Sequence, residues 1–131
     1  RTSAPDAVIL NYTNPMDMIC WAMDDPAVPS VGLCHGTQVT LDLIAGYCDV
    51  ARDEVVFEAA GINHMAFFLN FEHRQADGTY KDLYPELHRA YREGRAPKPG
   101  WNPRCPNKVR YEMLTRLGYF VTLPILLPEA P

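Results

Sequence analysis

"AVILNYTNPMDMICWAM", residues 7 to 23, is the stretch that decides the fold. Its first part, "AVILN" at 7–11, is a short and nearly continuous apolar run, the pattern of a strand covered on both faces. A helix signal follows at once. Asn14 suits an N-cap, Pro15 suits the first helical position, and Asp17 sits where a negative charge meets the positive end of the helix dipole. A covered strand running straight into a helix N-terminus belongs to open α/β sheets, which bind ligands beyond the carboxyl ends of their strands.

Working outward, "DDPAVPS" (24–30) breaks the helix, and "VGLCHG" (31–36) leads to a second helix over 37–47. Val39, Leu43 and Tyr47, with Ile44 beside them, give that helix one apolar stripe. "DEVVFEAAGINHMAFFLNFEHR" (53–74) reads as strand, interrupted near His64, with Met65, Phe67, Leu69 and Phe71 on one face. Asp77-Gly78 signals a turn. "DLYPELHRAYREG" (82–94) reads as an amphipathic helix closed by Gly94, 95–107 as a proline-rich loop, and 108–120 as a helix with Val109, Met113 and Leu117 on its stripe.

The chain has 131 residues, enough for a domain with a core, and 47% apolar residues, too many for a disordered chain. A formal charge of -4 with scattered basic residues excludes a phosphate-tracking nucleic-acid surface. Apolar runs such as "MAFFL" (65–69) fall far short of a membrane span. Cys20, Cys34, Cys48 and Cys105 are widely spaced with no CxxC pair, which fits reduced thiols in a cytoplasmic protein. The start "RTSAPDAVILN" and the tail "VTLPILLPEAP" suggest an internal piece of a larger protein.

Chemistry concentrates in two glycine-flanked turns. "GLCHGT" (32–37) sets a thiol beside an imidazole, and "GINHMA" (61–66) places His64 thirty residues beyond Cys34. The Cys34-His35 pair reads as a metal site, as a nucleophile with its base, or as two ordinary turn residues. Adjacent turn residues rarely aim their side chains at each other, which weighs against the nucleophile. A thiolate and an imidazole together suit a borderline transition metal and leave coordination positions open to a substrate. By the same reasoning His64 alone is as readily a half-buried histidine with satisfied nitrogens, and His35 a surface one. Asn14 offers an amide for a bound hydroxyl besides any capping role. Arg110, Tyr111 and Glu112 read as a solvated helix face with Tyr111 packed at its edge; beside a cation and a metal, that phenol could ionise and act as a base.

Taken together and in order, "NYTNPMD", "GLCHGT", "AGINHMAFFL" and "KVRYEMLTRLGYFVT" resemble the NAD- and metal-dependent glycosidases of glycoside hydrolase family 4, across residues 5 to 122. The resemblance implies α/β architecture: the last strand of a Rossmann-type sheet (1–14), part of a mixed α+β catalytic domain like the C-terminal half of lactate dehydrogenase (15–122), and an atypical tail (123–131). It implies NAD and Mn²⁺ or another divalent ion as cofactors, with Cys34 and His64 as metal ligands. His35 is implied as the acid that protonates the leaving group and Tyr111 as the base. Asn14 is implied at the sugar and on the cofactor side of the site. The implied activity is hydrolysis of an α-galactoside, α-glucoside or α-uronide by C3 oxidation, elimination and water addition. No carboxylate pair is needed for such chemistry. The glycine-rich dinucleotide loop is absent from the sequence, and the family's Glu, Ser and His residues do not follow Thr122. A small α-glycoside is the expected partner of a full-length homo-oligomer, with neither nucleic acid nor membrane. The rivals are a lactate- or malate-type NAD dehydrogenase and an inactive truncated product.

Overall fold

The computed structural model describes residues 6–25, 27–95 and 108–122. The chain divides into two compact units, Arg1–His35 and Gly36–Pro131.

In the first unit, β1 (Ile9–Asn11), α1 (Met16–Ala22) and β2 (Ser30–Gly32) form a short β-α-β unit. β1 and β2 pair in parallel, Ile9 with Ser30, Leu10 with Val31 and Asn11 with Gly32. α1 begins one residue later than expected. Pro15, joined to Asn14 by a cis peptide bond, takes the N-cap position, and no side chain caps the helix. Asn14 is therefore not the cap that its residue type suggests. α1 packs closely on β2: a Cβ added at Gly32 would lie 2.7 Å from Cys20 Sγ and 2.9 Å from Met16 Sδ. The apolar run of β1 is not covered on both faces as expected, since Ile9 and Leu10 are exposed. Among the described residues β1 has only β2 beside it in the sheet.

The second unit holds α2 (Gly36–Tyr47), a single 3₁₀ turn at Arg52–Glu54, β3 (Val55–Ile62), β4 (Met65–Arg74), β5 (Tyr80–Asp82), α3 (Tyr84–Arg92) and α4 (Lys108–Leu117). The strands form an antiparallel sheet in the order β3-β4-β5. The core joins Leu41 and Ile44 of α2, Phe68 and Phe71 of β4, Leu87 of α3, Leu114 of α4, and Phe120. Past α4 the chain returns to β4, where Phe68 N–H donates to Phe120 O at 2.9 Å and Thr122 N–H to Ala66 O at 2.7 Å. The Asp77-Gly78 turn forms, with Gly78 at φ 83°. Gly94 closes α3 at φ 63°, its N–H bonded to Tyr91 O and that of Arg95 to Ala90 O.

Three expected faces turn out rotated. In β4 the register shifts at Glu58/Ala59: Glu58 faces Asn70 while Ala59 faces Phe68, leaving Leu69 as the extra residue of a bulge. The bulge reverses the alternation, so Phe68 and Phe71 are buried while Met65 and Leu69 are exposed. In α2 the buried set is Gly36, Thr40, Leu41, Ile44, Ala45 and Tyr47, with Val39 and Leu43 at its margin. In α4 Val109 and Leu117 are exposed and Arg110, Tyr111 and Leu114 are buried, so of the supposed solvated face only Glu112 is exposed. The 95–107 loop, Cys105 and the 123–131 tail lie outside the described residues, apart from Arg95.

Candidate functional site

The first unit gathers its chemistry at the carboxyl ends of its two strands. Asn11, the last residue of β1, is buried and fixes the exit of the strand. Its Oδ1 accepts Thr13 N–H at 3.1 Å, and its Nδ2 donates to Met16 O at 3.4 Å. Leu33 N–H donates to Asn11 O at 2.8 Å, extending the ladder beyond β2. Cys34 and His35 follow directly, both exposed and ahead of the first turn of α2. Tyr12 emerges at the same strand end, and its hydroxyl lies 2.6 Å from His35 Nδ1. The two rings stack, with centroids 5.8 Å apart and planes 23° from parallel. Sequence reasoning passed over Tyr12. Its signal was its place, one residue beyond a strand whose C-terminal end faces the ligand side of an α/β sheet. Asn14 is exposed, two residues further on.

In the second unit His64 occupies the tip of the β3–β4 hairpin, in the two-residue turn between the Ile62–Met65 pair. It is half-buried and held at φ 63°. A non-glycine residue in this left-handed region costs on the order of 1–3 kcal/mol, and such costs cluster at functional sites. Gly61 makes the tip possible: at φ 143°, a Cβ there would meet Met65 O at 2.5 Å. Among the described residues no three His, Cys, Asp or Glu side chains come together as a metal cage. Cys34 belongs to the first unit and His64 to the second; a thiol and an imidazole are donor types that suit a borderline divalent ion.

Tyr111 sits in a different setting from the one its expected role requires. It is 2% exposed, stacked on Tyr91 with centroids 4.3 Å apart, and set edge-on to Phe120 at 5.4 Å. Its hydroxyl is buried and makes no hydrogen bond of ordinary geometry, Tyr47 being a polar neighbour. Burial pushes the phenol's pKa up; Tyr47 and Cys48 add to the effect and Arg110 opposes it only partly. This is the reverse of the lowered pKa that a base at neutral pH needs. The adjacent Arg110 is also buried: its Nε donates to Val121 O at 3.1 Å, one terminal nitrogen to Thr40 Oγ1 at 2.7 Å, and its guanidinium lies over the Phe120 ring.

Residues 59–125 match the family model for the family 4 glycosyl hydrolase C-terminal domain, and residues 1–50 match that for family 4 glycosyl hydrolase. The chain belongs to glycosyl hydrolase family 4. That membership sets aside the dehydrogenase reading. An α-galactosidase of Bacillus subtilis is 38% identical over 119 residues, which are 90% of this chain and 25% of that protein. An α-galacturonidase of Thermoanaerobacterium saccharolyticum is 33% identical over 102 residues, 71% of this chain and 22% of that protein. The chain thus spans about a quarter of the length of these curated relatives. A solved 6-phospho-α-glucosidase from gut microorganisms, in complex with NAD and Mn²⁺, superimposes with a TM-score of 0.69. It shares 21% identity and covers 91% of this chain and 28% of that one. The likeness supports the α/β fold, as expected from sequence. No helix among the described residues is long and apolar enough to cross a membrane.

Proposed function

We propose that the chain carries the proton-donating and metal-holding part of a cytoplasmic α-glycosidase, homo-oligomeric at full length, that uses NAD and a divalent ion such as Mn²⁺. Galactosides are placed first among substrates, ahead of glucosides and uronides, because the 38%-identical relative is an α-galactosidase. One observation carries the reading: in a member of this family, Cys34 and His35 stand exposed just beyond the carboxyl ends of a parallel strand pair.

Cys34 and His64 would hold the ion. When bound, NAD would supply hydride acceptance from the sugar and the ion would supply Lewis-acid polarisation of a sugar oxygen. His35 gives a proton to the glycosidic oxygen as the C1–O bond breaks by elimination, so the aglycone leaves as an alcohol. Asn14 binds a sugar hydroxyl at the nicotinamide side. Its exposed amide is available for this because it caps no helix. The strained backbone of His64 supports its part, since a glycine would fill that turn at lower cost. The resemblance gives the C2 proton to Tyr111. Burial keeps that phenol protonated, so the proposal rests on the other residues and Tyr111 is tested separately below.

The decisive assay takes the full-length gene product with nitrophenyl α-hexosides, NAD⁺, Mn²⁺ and a thiol reductant. Hydrolysis should vanish with EDTA, return with Mn²⁺, and leave deuterium at C2 of the product in heavy water. Hydrolysis indifferent to both NAD⁺ and EDTA would overturn the reading. Independently of turnover, Mn²⁺ should raise the thermal midpoint, as any ligand of the folded form must. Cys34→Ser and His64→Gln should each remove that rise.

A further inference from the structure

His64 closes the β3–β4 hairpin at φ 63°, a left-handed conformation that a histidine adopts only at a cost. Such a backbone persists where its surroundings hold it from more than one side. The pairing with β3 is one hold, and the segment after α4 supplies another. We infer that Thr122 is a positioning residue, whose backbone N–H and hydroxyl clamp Ala66 and so fix the turn that presents His64. The inference rests on the metal-holding role proposed above for His64.

β3 pairs with one edge of β4, and the chain after α4 completes the other edge near the hairpin tip, where Phe67 and Val121 form an antiparallel bridge. Two rungs of this edge are backbone bonds, Phe68 N–H to Phe120 O at 2.9 Å and Thr122 N–H to Ala66 O at 2.7 Å. The rung nearest the tip is made by a side chain: Ala66 N–H donates to Thr122 Oγ1 at 3.1 Å. One residue thus engages both polar groups of the Ala66 backbone, two positions beyond His64. On the other flank Ala66 faces Gly61, so closely that a Cβ at Gly61 would lie 2.6 Å from Ala66 Cα. Ala66 is pinched between the two. Thr122 is itself anchored, being 2% exposed and preceded by Val121, whose carbonyl accepts Arg110 Nε–H at 3.1 Å. A strand held at both edges is restrained from pivoting about its pairing, and the turn beyond it keeps one orientation. Losing the hydroxyl rung, one hydrogen bond of ordinary strength, should lower the held population about fivefold.

The test compares Thr122→Val, which keeps the shape and loses the hydroxyl, with Thr122→Ser, which keeps the hydroxyl, in the full-length protein. Free Mn²⁺ is counted by electron paramagnetic resonance, so Kd is read without turnover. Thr122→Val should bind Mn²⁺ about fivefold more weakly, and Thr122→Ser within about twofold of the parent. In the metal-free protein the Ala66 amide should exchange with solvent about fivefold faster in Thr122→Val. His64→Gln reports on the underlying reading, and should weaken Mn²⁺ binding more than Thr122→Val does. Parent-like affinity in His64→Gln would remove the metal role of His64 itself. If His64→Gln weakens binding while Thr122→Val lowers only the melting midpoint in EDTA and leaves Kd unchanged, the positioning role alone is overturned and Thr122 is a structural contact. Equal losses of affinity in Thr122→Val and Thr122→Ser would also overturn it, since the hydroxyl would not be the working group.

Discussion

The β1–α1–β2 unit leaves Leu10, Met18 and Trp21 on the surface, while the sheet-and-helix unit seals Phe68, Phe71 and Phe120 almost completely. Chemically plausible groups divide the same way. Tyr12, Cys34 and His35 stand exposed on the thinly packed unit, and Tyr111, Cys48 and Arg110 are locked in the well-packed one. The contrast teaches that burial, more than residue type, decides which polar groups can do chemistry. One tyrosine reaches an imidazole; the other is a core ring with a hydroxyl attached.

The largest effect that would sharpen this contrast is in the core. Phe68→Ala should cost about 3–5 kcal/mol in a denaturant titration, because the ring is wholly buried and packs on Phe57. Leu10→Ala, at an exposed site of β1, should cost under about 0.5 kcal/mol. Equal costs would mean that β1 is covered after all, and the comparison would break.

Alkaline pH should act on three buried groups of the second unit. Burial pushes the Cys48 thiol up to about 12 and the Tyr84 phenol up to about 12, and raises Tyr111 further. Each of these groups is neutral when protonated, and its folded pKa is raised. Their contribution is therefore fully present below the unfolded values near 9 to 10, and is lost as pH rises toward the folded values. Stability should fall above about pH 9, at up to about 1.4 kcal/mol per pH unit for each group. Cys48→Ala should make the decline shallower, as read from denaturation midpoints at pH 8 to 11. An unchanged slope would show that Cys48 is not buried as described. Alkylation offers a second reading, with Cys34 labelled in the folded chain and Cys48 only on unfolding.

Much of this was legible in the sequence, and what was not has specific causes. The strand-to-helix junction, the helix over 36–47, the Asp77-Gly78 turn and the Gly94 stop follow from local signals, and local signals survive folding. The buried faces of β4 and α4 did not, for two different reasons. A single bulge residue, Leu69, reverses the alternation of β4, and nothing in an apolar run marks which residue is extra. In α4 the polar Arg110 is buried through a network reaching Thr40, seventy residues away, which no periodicity reports. The motifs pointed to Cys34, His35 and His64 as candidates, but the contact of Tyr12 with His35 required the parallel pairing of β1 with β2.

Tyr84 tests how the second unit holds its returning chain. Its hydroxyl donates to Phe68 O and accepts Phe120 N–H at 3.2 Å, joining β4 to the segment after α4. Tyr84→Phe should cost about 1–3 kcal/mol, the range for leaving such buried partners unmatched. A smaller loss would mean that water replaces the phenol there. At the hairpin tip the sign should reverse: His64→Gly should stabilise by about 1 kcal/mol, since glycine adopts φ near 63° without penalty. The same substitution should abolish any Mn²⁺-dependent rise in the midpoint. Stabilisation together with lost metal response would identify His64 as a residue kept for function at the expense of the fold.

The smallest effect is the most informative about the base. Tyr111→Phe removes a buried hydroxyl that makes no ordinary hydrogen bond while keeping the stack on Tyr91 and the edge contact with Phe120. If Tyr111 is a core residue, the folded state loses nothing. Stability should then change by less than about 0.5 kcal/mol, or rise slightly as an unsatisfied polar atom is deleted. The decline above pH 9 should also become shallower, because a raised phenol no longer titrates. Activity of the full-length enzyme should stay within a few-fold of the parent, with exchange at C2 intact. A loss of 100-fold or more, at unchanged stability, would instead restore Tyr111 as the base. It would require that substrate and ion together bring down a pKa that the packing around this residue holds up.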